Sequence, residues 1–231
     1  ILTIWDAGGK DTIDLSGWSS ASTLNLSAGS YSSVNGMKSN LAIAYKVDIE
    51  NAVTGSGNDL VTGNDLTNAI TSNAGTDNLK GAGGNDVLNG GSGNDLLNGG
   101  AGNDRIIGGL NTDKLTGGLG SDTFVFDSLQ SSPRGAANDG ILDFNKSQAD
   151  RIDLSAIDAS SAVSGNNAFH LTGSSGIAAF SHKGAASAGE LRYFTSNNHT
   201  YVQGDVNGDG VADFQIDLAG SIALRAVDFI L

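Results

Sequence analysis

The chain has 231 residues, with 25 acidic against 12 basic side chains, a formal net charge of −13 and a pI near 4.3. That balance argues against nucleic acid or anionic membrane as a partner and favours cations. No apolar run approaches the roughly 18 residues that a membrane-spanning helix needs, and the absence of cysteine leaves any form outside the cytosol to be stabilised by something other than disulfides.

The chain opens directly in a strand pattern, Ile1-Leu2-Thr3-Ile4-Trp5, without Met or a signal peptide, and reads as a fragment or processed product of one elongated domain or two small ones. Over residues 1–53, period-two stretches (Leu2 to Trp5, Thr12 to Leu15, Thr23 to Leu26, Leu41 to Tyr45, Val47 to Ile49) alternate with Gly, Ser and Asn, as expected of irregular leading coils of a roll. Two acidic clusters stand here: the glycine turn Asp6-Ala7-Gly8-Gly9-Lys10-Asp11, and Asp48-Ile49-Glu50 with both acids on one strand face. They read as further metal sites or as solvated turn acids.

Residues 54–125 repeat one nine-residue frame eight times without insertion or deletion: Gly-Gly-x-Gly-x-Asp-x-(large apolar)-x. The apolar slot reads Val61, Ile70, Leu79, Leu88, Leu97, Ile106, Leu115 and Phe124. The carboxylate slot reads Asp59, Asn68, Asp77, Asp86, Asp95, Asp104, Asp113 and Asp122. Glycines permit the tight backbone of a six-residue turn, and the final triplet alternates as a strand does. So short a strand finds partners only if the chain coils and lays each unit beside the one two units later, which predicts a right-handed parallel β-roll with 18 residues per circuit. A disordered Gly/Asn/Asp-rich linker is the alternative, and the unbroken register speaks against it.

Eight inward side chains cannot offset the backbone entropy of so glycine-rich a segment. Coiling also stacks the carboxylates of alternate units, and two charges about 5 Å apart at an effective dielectric near 20 repel by roughly 3 kcal/mol. A hard cation between coils reverses that sign, held by Asp oxygens and backbone carbonyls in an oxygen-only shell that suits Ca²⁺ better than Mg²⁺. The candidate carbonyls lie at the turn positions: first, Ser72, Gly81, Gly90, Gly99, Gly108 and Gly117; second, Gly55, Gly91, Gly100 and Gly109; third, Ala74 and Gly83; fourth, Gly57, Gly84, Gly93, Gly102 and Gly120. Leu66 and Asn111 stand where glycine is expected and Asn68 replaces Asp, so sites that depend on Asn68 are expected to be empty. Metal binding and folding are then one process, and sites with the affinity of extracellular modules, about 10⁻⁴ to 10⁻³ M, fill only outside the cell.

Residues 126–231 lose the frame and predict longer strands: Ile141 to Phe144, Arg151 to Leu154, Ala168 to Leu171, Glu190 to Phe194, Thr200 to Gln203, Val211 to Leu218 and Ala223 to Leu231. They suit a β-sandwich that caps the open end of the roll. Asp205-Val206-Asn207-Gly208-Asp209-Gly210-Val211-Ala212-Asp213 imitates the start of an EF-hand loop, yet Ile216 stands where the loop needs Glu, and a hairpin turn is the favoured reading over a calcium loop. No His-Glu-x-x-His occurs, and His170, His182 and His199 are too scattered to suggest zinc, so no catalytic residue and no peptidase activity is expected of this polypeptide.

Ile4-Trp5-Asp6-Ala7-Gly8-Gly9 with Asp11-Thr12, the step Ile49-Glu50-Asn51-Ala52 into the repeats, the repeats themselves and the ending Asp228-Phe229-Ile230-Leu231 together resemble the C-terminal half of the serralysins, secreted bacterial zinc metalloproteases of the repeats-in-toxin class. The resemblance covers essentially the whole chain. It implies a calcium-binding roll and sandwich, an uncleaved C-terminal signal for a type I (ABC) exporter, and a protease domain upstream of Ile1 that alone carries zinc. It also implies that Asp6, Gly8 and Asp11 bind one calcium, which in the family takes further ligands from before Ile1, and that Gly9, Asp11, Asp48 and Glu50 bind another. Family members usually have Thr where Asp48 stands. They also tend to carry an acid seven positions before Asp139 for a calcium beyond the roll, and here that position is Ser132. The expected function is a non-catalytic, extracellular, calcium-driven folding and export module; the alternatives are the repeat module of another secreted enzyme (a lipase or alginate epimerase) and a calcium spacer of a surface layer or adhesin. An ice-binding roll would need a regular outward Thr array, which the mixed seventh and ninth positions lack.

Overall fold

A computed structural model describes residues 1–6, 8–135, 138–160, 167–172, 180 and 188–231. Ala7 of the first glycine turn and His182 lie outside these. The leading coils contribute β1 (Leu2–Ile4), β2 (Thr12–Asp14), β3 (Thr23–Asn25), β4 (Tyr31–Ser32), β5 (Leu41–Ile43) and β6 (Asn51–Val53). The repeats contribute β7 (Leu60–Thr62), β8 (Ala69–Thr71), β9 (Asn78–Gly83), β10 (Val87–Ser92), β11 (Leu96–Ala101), β12 (Arg105–Leu110), β13 (Lys114–Leu119) and β14 (Thr123–Val125). Beyond them come β15 (Gly140–Ile141), β16 (Arg151–Asp153), β17 (His170–Leu171), β18 (Glu190–Ser196), β19 (His199–Asp205), β20 (Phe214–Ala219) and β21 (Phe229–Ile230).

Consecutive repeats alternate between two parallel sheets, as a circuit of 18 residues requires. One sheet runs β2-β6-β8-β10-β12-β14-β16-β21 and the other β17-β18-β19-β20-β15-β13-β11-β9-β7-β3, while β1-β5-β4 forms a small sheet at the leading end. Register places each apolar slot directly over the next. Ala52, Ile70, Leu88, Ile106, Phe124, Ile152 and Phe229 form one inward column, and Leu24, Val61, Leu79, Leu97, Leu115, Ile141 and Leu218 form the other. All these side chains are buried, which explains why an apolar residue every ninth position is compulsory.

The fold is the expected all-β roll, but some local expectations change. Strands β9 to β13 are six residues long, twice the expected triplet, because pairing continues into the turn through contacts such as Gly91↔Gly109 and Gly100↔Gly118. Residues 126–231 add strands to both roll sheets, with the antiparallel run β18-β19-β20 extending one of them. The predicted strand at Val47 to Ile49 is displaced to Asn51–Val53, where the pairing with β2 and β8 is made. Val211 to Asp213 belong to a turn rather than to the following strand, and the last segment is a short 3-10 turn, Ala226–Asp228, followed by β21. Among the described residues no helix is long and apolar enough to cross a membrane.

Turn geometry fixes the glycines individually. At the second position Gly91, Gly100 and Gly109 have φ of 91°, 110° and 106°, and at the fourth Gly93 and Gly102 have 136° and 133°. A Cβ on Gly93 would lie 1.5 Å from the Gly75 carbonyl oxygen of the coil beneath. Asn73 and Ala82 adopt the same left-handed conformation at the second position, with φ of 66° and 83°, and the exposed Ala82 gains no side-chain hydrogen bond there in return. Ala82→Gly should therefore stabilise the fold by about 1 kcal/mol, whereas Gly93→Ala should cost at least about 2 kcal/mol, both read from urea unfolding at fixed calcium.

Candidate metal centre

Two ladders of acidic side chains run along the edges of the roll, each built by the same local bond. In every coil the Asp Oδ1 accepts the backbone N–H of the residue one coil earlier. On one edge Ser22, Asp59, Asp77, Asp95 and Asp113 donate to Asp59, Asp77, Asp95, Asp113 and Asp139 at 2.6, 2.7, 2.8, 2.8 and 2.8 Å. On the other, Asn68, Asp86, Asp104 and Asp122 donate to Asp86, Asp104, Asp122 and Asp150 at 2.7, 2.8, 2.9 and 3.1 Å.

The second carboxylate oxygen is treated differently. Oδ2 of Asp59, Asp77, Asp86, Asp95, Asp104, Asp113, Asp122 and Asp139 is buried and has no hydrogen-bond partner. An orphaned, charged oxygen in so many buried side chains would be severely destabilising without a counter-charge. Burial accordingly pushes Asp77 and Asp122 up to about 6, Asp86 and Asp113 to about 7, and Asp139 to about 9, and stacked carboxylates add to the shift. Asp95 and Asp104 are raised by burial as well.

Around each orphaned oxygen the turn supplies backbone. The first-position glycines exist because the carboxylate fills the place of their Cβ: that point lies 2.1 Å from Asp86 Oδ2 at Gly81, and 2.4, 2.2, 2.4 and 2.3 Å from the corresponding Oδ2 at Gly90, Gly99, Gly108 and Gly117. At Gly81 the Gly99 carbonyl oxygen lies 2.4 Å from the same point, and at Gly90 the Gly108 carbonyl oxygen lies 2.6 Å away. Ser72, at the first position of its repeat, instead donates its hydroxyl to the Gly90 carbonyl at 2.7 Å. Gly84, Gly102 and Gly120 each press against a carbonyl oxygen one coil away, at 2.4, 1.8 and 1.9 Å from a notional Cβ. Gly55 and Gly57 stack on Trp18 and on Ser20-Ala21, Ala74 bonds to the Gly55 carbonyl, and Gly83 faces Asp65. Among the described residues no three His, Cys, Asp or Glu side chains converge. The donor set is therefore carboxylate plus carbonyl, all oxygen, which fits a hard cation and not zinc.

At the leading end Asp11 has Asp6 and Glu50 as its acidic neighbours, each acting on its carboxyl. Glu50 Oε2 accepts the Asp11 N–H at 2.8 Å, Asp6 Oδ2 accepts that of Gly8 at 2.7 Å, and Asp11 Oδ2 is another buried oxygen without a partner. Burial, Asp6 and Glu50 all raise the Asp11 carboxyl, and Gly9 lies beside it, a Cβ there being 3.4 Å from Asp11 Oδ2. Asp48 is exposed and lines a groove with Ser27, Asn64 and Asp65.

Sequence reasoning missed several parts. Asp139 and Asp150 extend the ladders beyond the repeats, at separations of 26 and 28 residues that no nine-residue frame reveals. Asp143 closes the end by accepting Gly117 and Gly118 N–H at 2.9 and 2.8 Å. The fifth position, unspecified in the repeat frame, carries further bonds between coils on both edges: Asn58, Asn85, Asn94 and Asn103 each accept the N–H of the fifth residue one coil on, at 2.9, 2.7, 3.1 and 2.8 Å. The repeated Asn was visible in the sequence as a signal. In the Asp205 to Asp213 turn, backbone N–H groups occupy the carboxylates: Asp205 accepts from Gly208 and Gly210, and Asp213 from Val206 and Asn207. His199 pairs with Asp217 at 2.8 Å and His170 begins β17.

Parallel coils with two buried apolar columns between their sheets and stacked, buried Asp side chains along both edges define a β-roll of nonapeptide repeats. The chain belongs to the family described as Peptidase M10 serralysin C terminal, whose model matches residues 1–231. It is 40% identical over 227 residues to Metallopeptidase AprA of Pseudomonas marginalis, covering 98% of this chain and 39% of that protein. To Serralysin A of Dickeya chrysanthemi it is 41% identical over 231 residues, covering 100% of this chain and 40% of the relative. The chain thus spans about two-fifths of the length of these relatives. A solved structure, the AlgE6R3 subunit of Mannuronan C5-epimerase from Azotobacter vinelandii, aligns over 80% of this chain and 81% of its own at 26% identity with a TM-score of 0.39.

The raised carboxyls give a signed pH dependence. Unfolded Asp titrates near 3.8 and the coiled Asp77, Asp86, Asp113 and Asp122 near 6 to 7. Their penalty on coiling is absent below the lower value and complete above the higher, so coiling takes up protons in between. In chelator, the circular-dichroism β signal should therefore rise as pH falls from about 8 to about 4; a signal that weakens on acidification contradicts the burial of these groups.

Proposed function

We propose that this chain is a non-catalytic calcium-binding module that folds outside the cell and serves the export of a serralysin-type metalloprotease. The observation that supports this most directly is the column of buried, unpartnered Oδ2 atoms along both edges. Calcium would be held by these oxygens with carbonyls of the turn positions, and by Asp6, Asp11 and Glu50 with the adjoining glycines at the leading end. When bound, the ion supplies charge compensation and cross-links coils; it performs no chemistry on a substrate. The chain's residues do the rest: Oδ1 sets the spacing of the coils, glycines admit the close approach, and the apolar columns exclude water.

The export reading rests on the last four residues. Phe229 and Ile230 pair with Ile152 and Asp153 as the outermost strand, and Asp228 bonds to the Arg225 N–H at 2.7 Å and faces Lys146 Nζ at 3.4 Å. A tail so engaged is accessible to a type I exporter before the coils close and not afterwards. Low cytosolic calcium would keep it free, and higher calcium outside would fold it away. Peptide hydrolysis and its zinc belong, in this reading, to a domain preceding Ile1.

Calcium titration of the chelator-treated chain, followed by circular dichroism, should give a cooperative gain of β structure; a roll that keeps its full signal in excess chelator would refute the proposal. Asp95→Asn should lower the calcium stoichiometry by at least one ion in equilibrium dialysis. Removing Asp228 to Leu231 should abolish secretion from a type I host while calcium still folds the repeats, and normal secretion would remove the export half of the reading.

A further inference from the structure

The second repeat breaks the pattern of the others at the place where the metal reading needs a carboxylate. Asn68 occupies the same cradle as its neighbours. A Cβ on Gly63 would lie 2.2 Å from Asn68 Oδ1 and 2.3 Å from the Gly81 carbonyl, just as one on Gly81 would lie 2.1 Å from Asp86 Oδ2 and 2.4 Å from the Gly99 carbonyl. The bonding is reversed. Asp86 Oδ2 has no partner, whereas Asn68 Oδ1 accepts the Asn64 N–H at 2.8 Å and Asn68 Nδ2 donates to the Glu50 carbonyl at 3.1 Å and to Asn64 Oδ1 at 3.0 Å.

Asn64 completes the arrangement. Its Nδ2 donates to the Ile49 carbonyl at 2.8 Å and to the Leu26 carbonyl at 3.2 Å, and its Oδ1 also accepts the Leu66 N–H at 3.0 Å. Two amides thus direct four N–H bonds at acceptors around one corner, three of them backbone carbonyls of the leading coils. The carboxylate of Glu50, one coil back on the same edge, bonds instead to the Asp11 N–H. The sixth position here is neutral, so it sets no charge against Asp86 of the next coil or Glu50 of the one before, and each polar atom of the Asn68 side chain has a partner.

We infer that Asn64 and Asn68 form a calcium-independent joint, in which amide hydrogens stand where a cation stands in the other repeats. This corner closes without an ion and presents β6 and β8 as a template onto which the ion-dependent coils add. The inference rests on the calcium reading of the other corners. It gives the departure from Asp at this repeat a function: a roll whose every corner needed an ion would have to nucleate against charge repulsion throughout.

Hydrogen–deuterium exchange of the whole chain in chelator tests it. The Ala69 N–H, bonded to Glu50 O, and its neighbours through Thr71 should exchange at least tenfold more slowly than Arg105 to Ile107 and Thr123 to Val125, whose first amides bond to Asp86 O and Asp104 O. Equal rates would overturn the inference. Asn68→Asp should add one calcium to the stoichiometry and remove the slow exchange at 69–71 in chelator; unchanged stoichiometry or undiminished protection would also overturn it. A native chain that binds no calcium in the same dialysis would instead defeat the underlying reading, whereas native binding with failed arms at Asn68 defeats the joint alone.

Discussion

Everything in the roll depends on how one aspartate divides its two oxygens. Oδ1 accepts a backbone N–H from the coil before it, at 2.7 to 2.9 Å between alternate repeats, and this bond sets pitch and register. Having pointed Oδ1 along the roll, the side chain has no choice about Oδ2: it is driven into the corner, against a glycine Cα, where no N–H is left to meet it. The same bond that organises the coil therefore creates a buried charge. A carboxylate that builds the fold and simultaneously opposes it is a natural point of control, because the balance is decided by whatever neutralises the charge.

The glycines follow from this division. First-position glycine gives way to the carboxylate, and the second and fourth positions give way to carbonyl oxygens of the coil beneath while holding left-handed backbone. These are separate constraints, which explains why substitutes differ by position. Asn73 and Ala82 are tolerated at the second position and Asn111 at the fourth, each with positive φ, whereas first-position departures are confined to Ser72, whose hydroxyl finds the Gly90 carbonyl, and Thr54 at the edge of the repeats, whose hydroxyl approaches the Ser72 carbonyl.

Where the period is strict, the sequence alone was enough. Coil length, the alternation between sheets, the inward column and the stacking order of Asp59, Asp77, Asp95 and Asp113 all follow from one register and the need of short strands for partners. Outside the period, legibility failed for a physical reason. Asp139 and Asp150 reach their places after loops of different length, so only the folded chain reveals that they continue the ladders. Asp48 and Glu50 alternate about Ile49 as a shared face would require, yet that segment precedes β6 and the two acids serve different surroundings. Strand length was underestimated because glycine was read only as a turn former. In this turn it also pairs.

The far end shows how such a ladder can stop. The last rung has no later coil whose carboxylate would accept its N–H, and that N–H still needs an acceptor. Asp139 meets that need outside the repeat logic: its N–H goes to the Ser132 hydroxyl at 2.8 Å, and Ser132 in turn bonds to the Gln215 carbonyl. Asp150 is anchored by the Asn145 N–H at 2.8 Å. These neutral groups tie the last charged rungs to β20 and to the turn before β16, converting an open ladder into a closed end while the sheets themselves continue to β17 and β21. The two ends differ in one respect: Asp139 keeps a buried Oδ2 without a partner although its N–H is satisfied, whereas at the amide corner of Asn64 and Asn68 each side-chain polar atom has one.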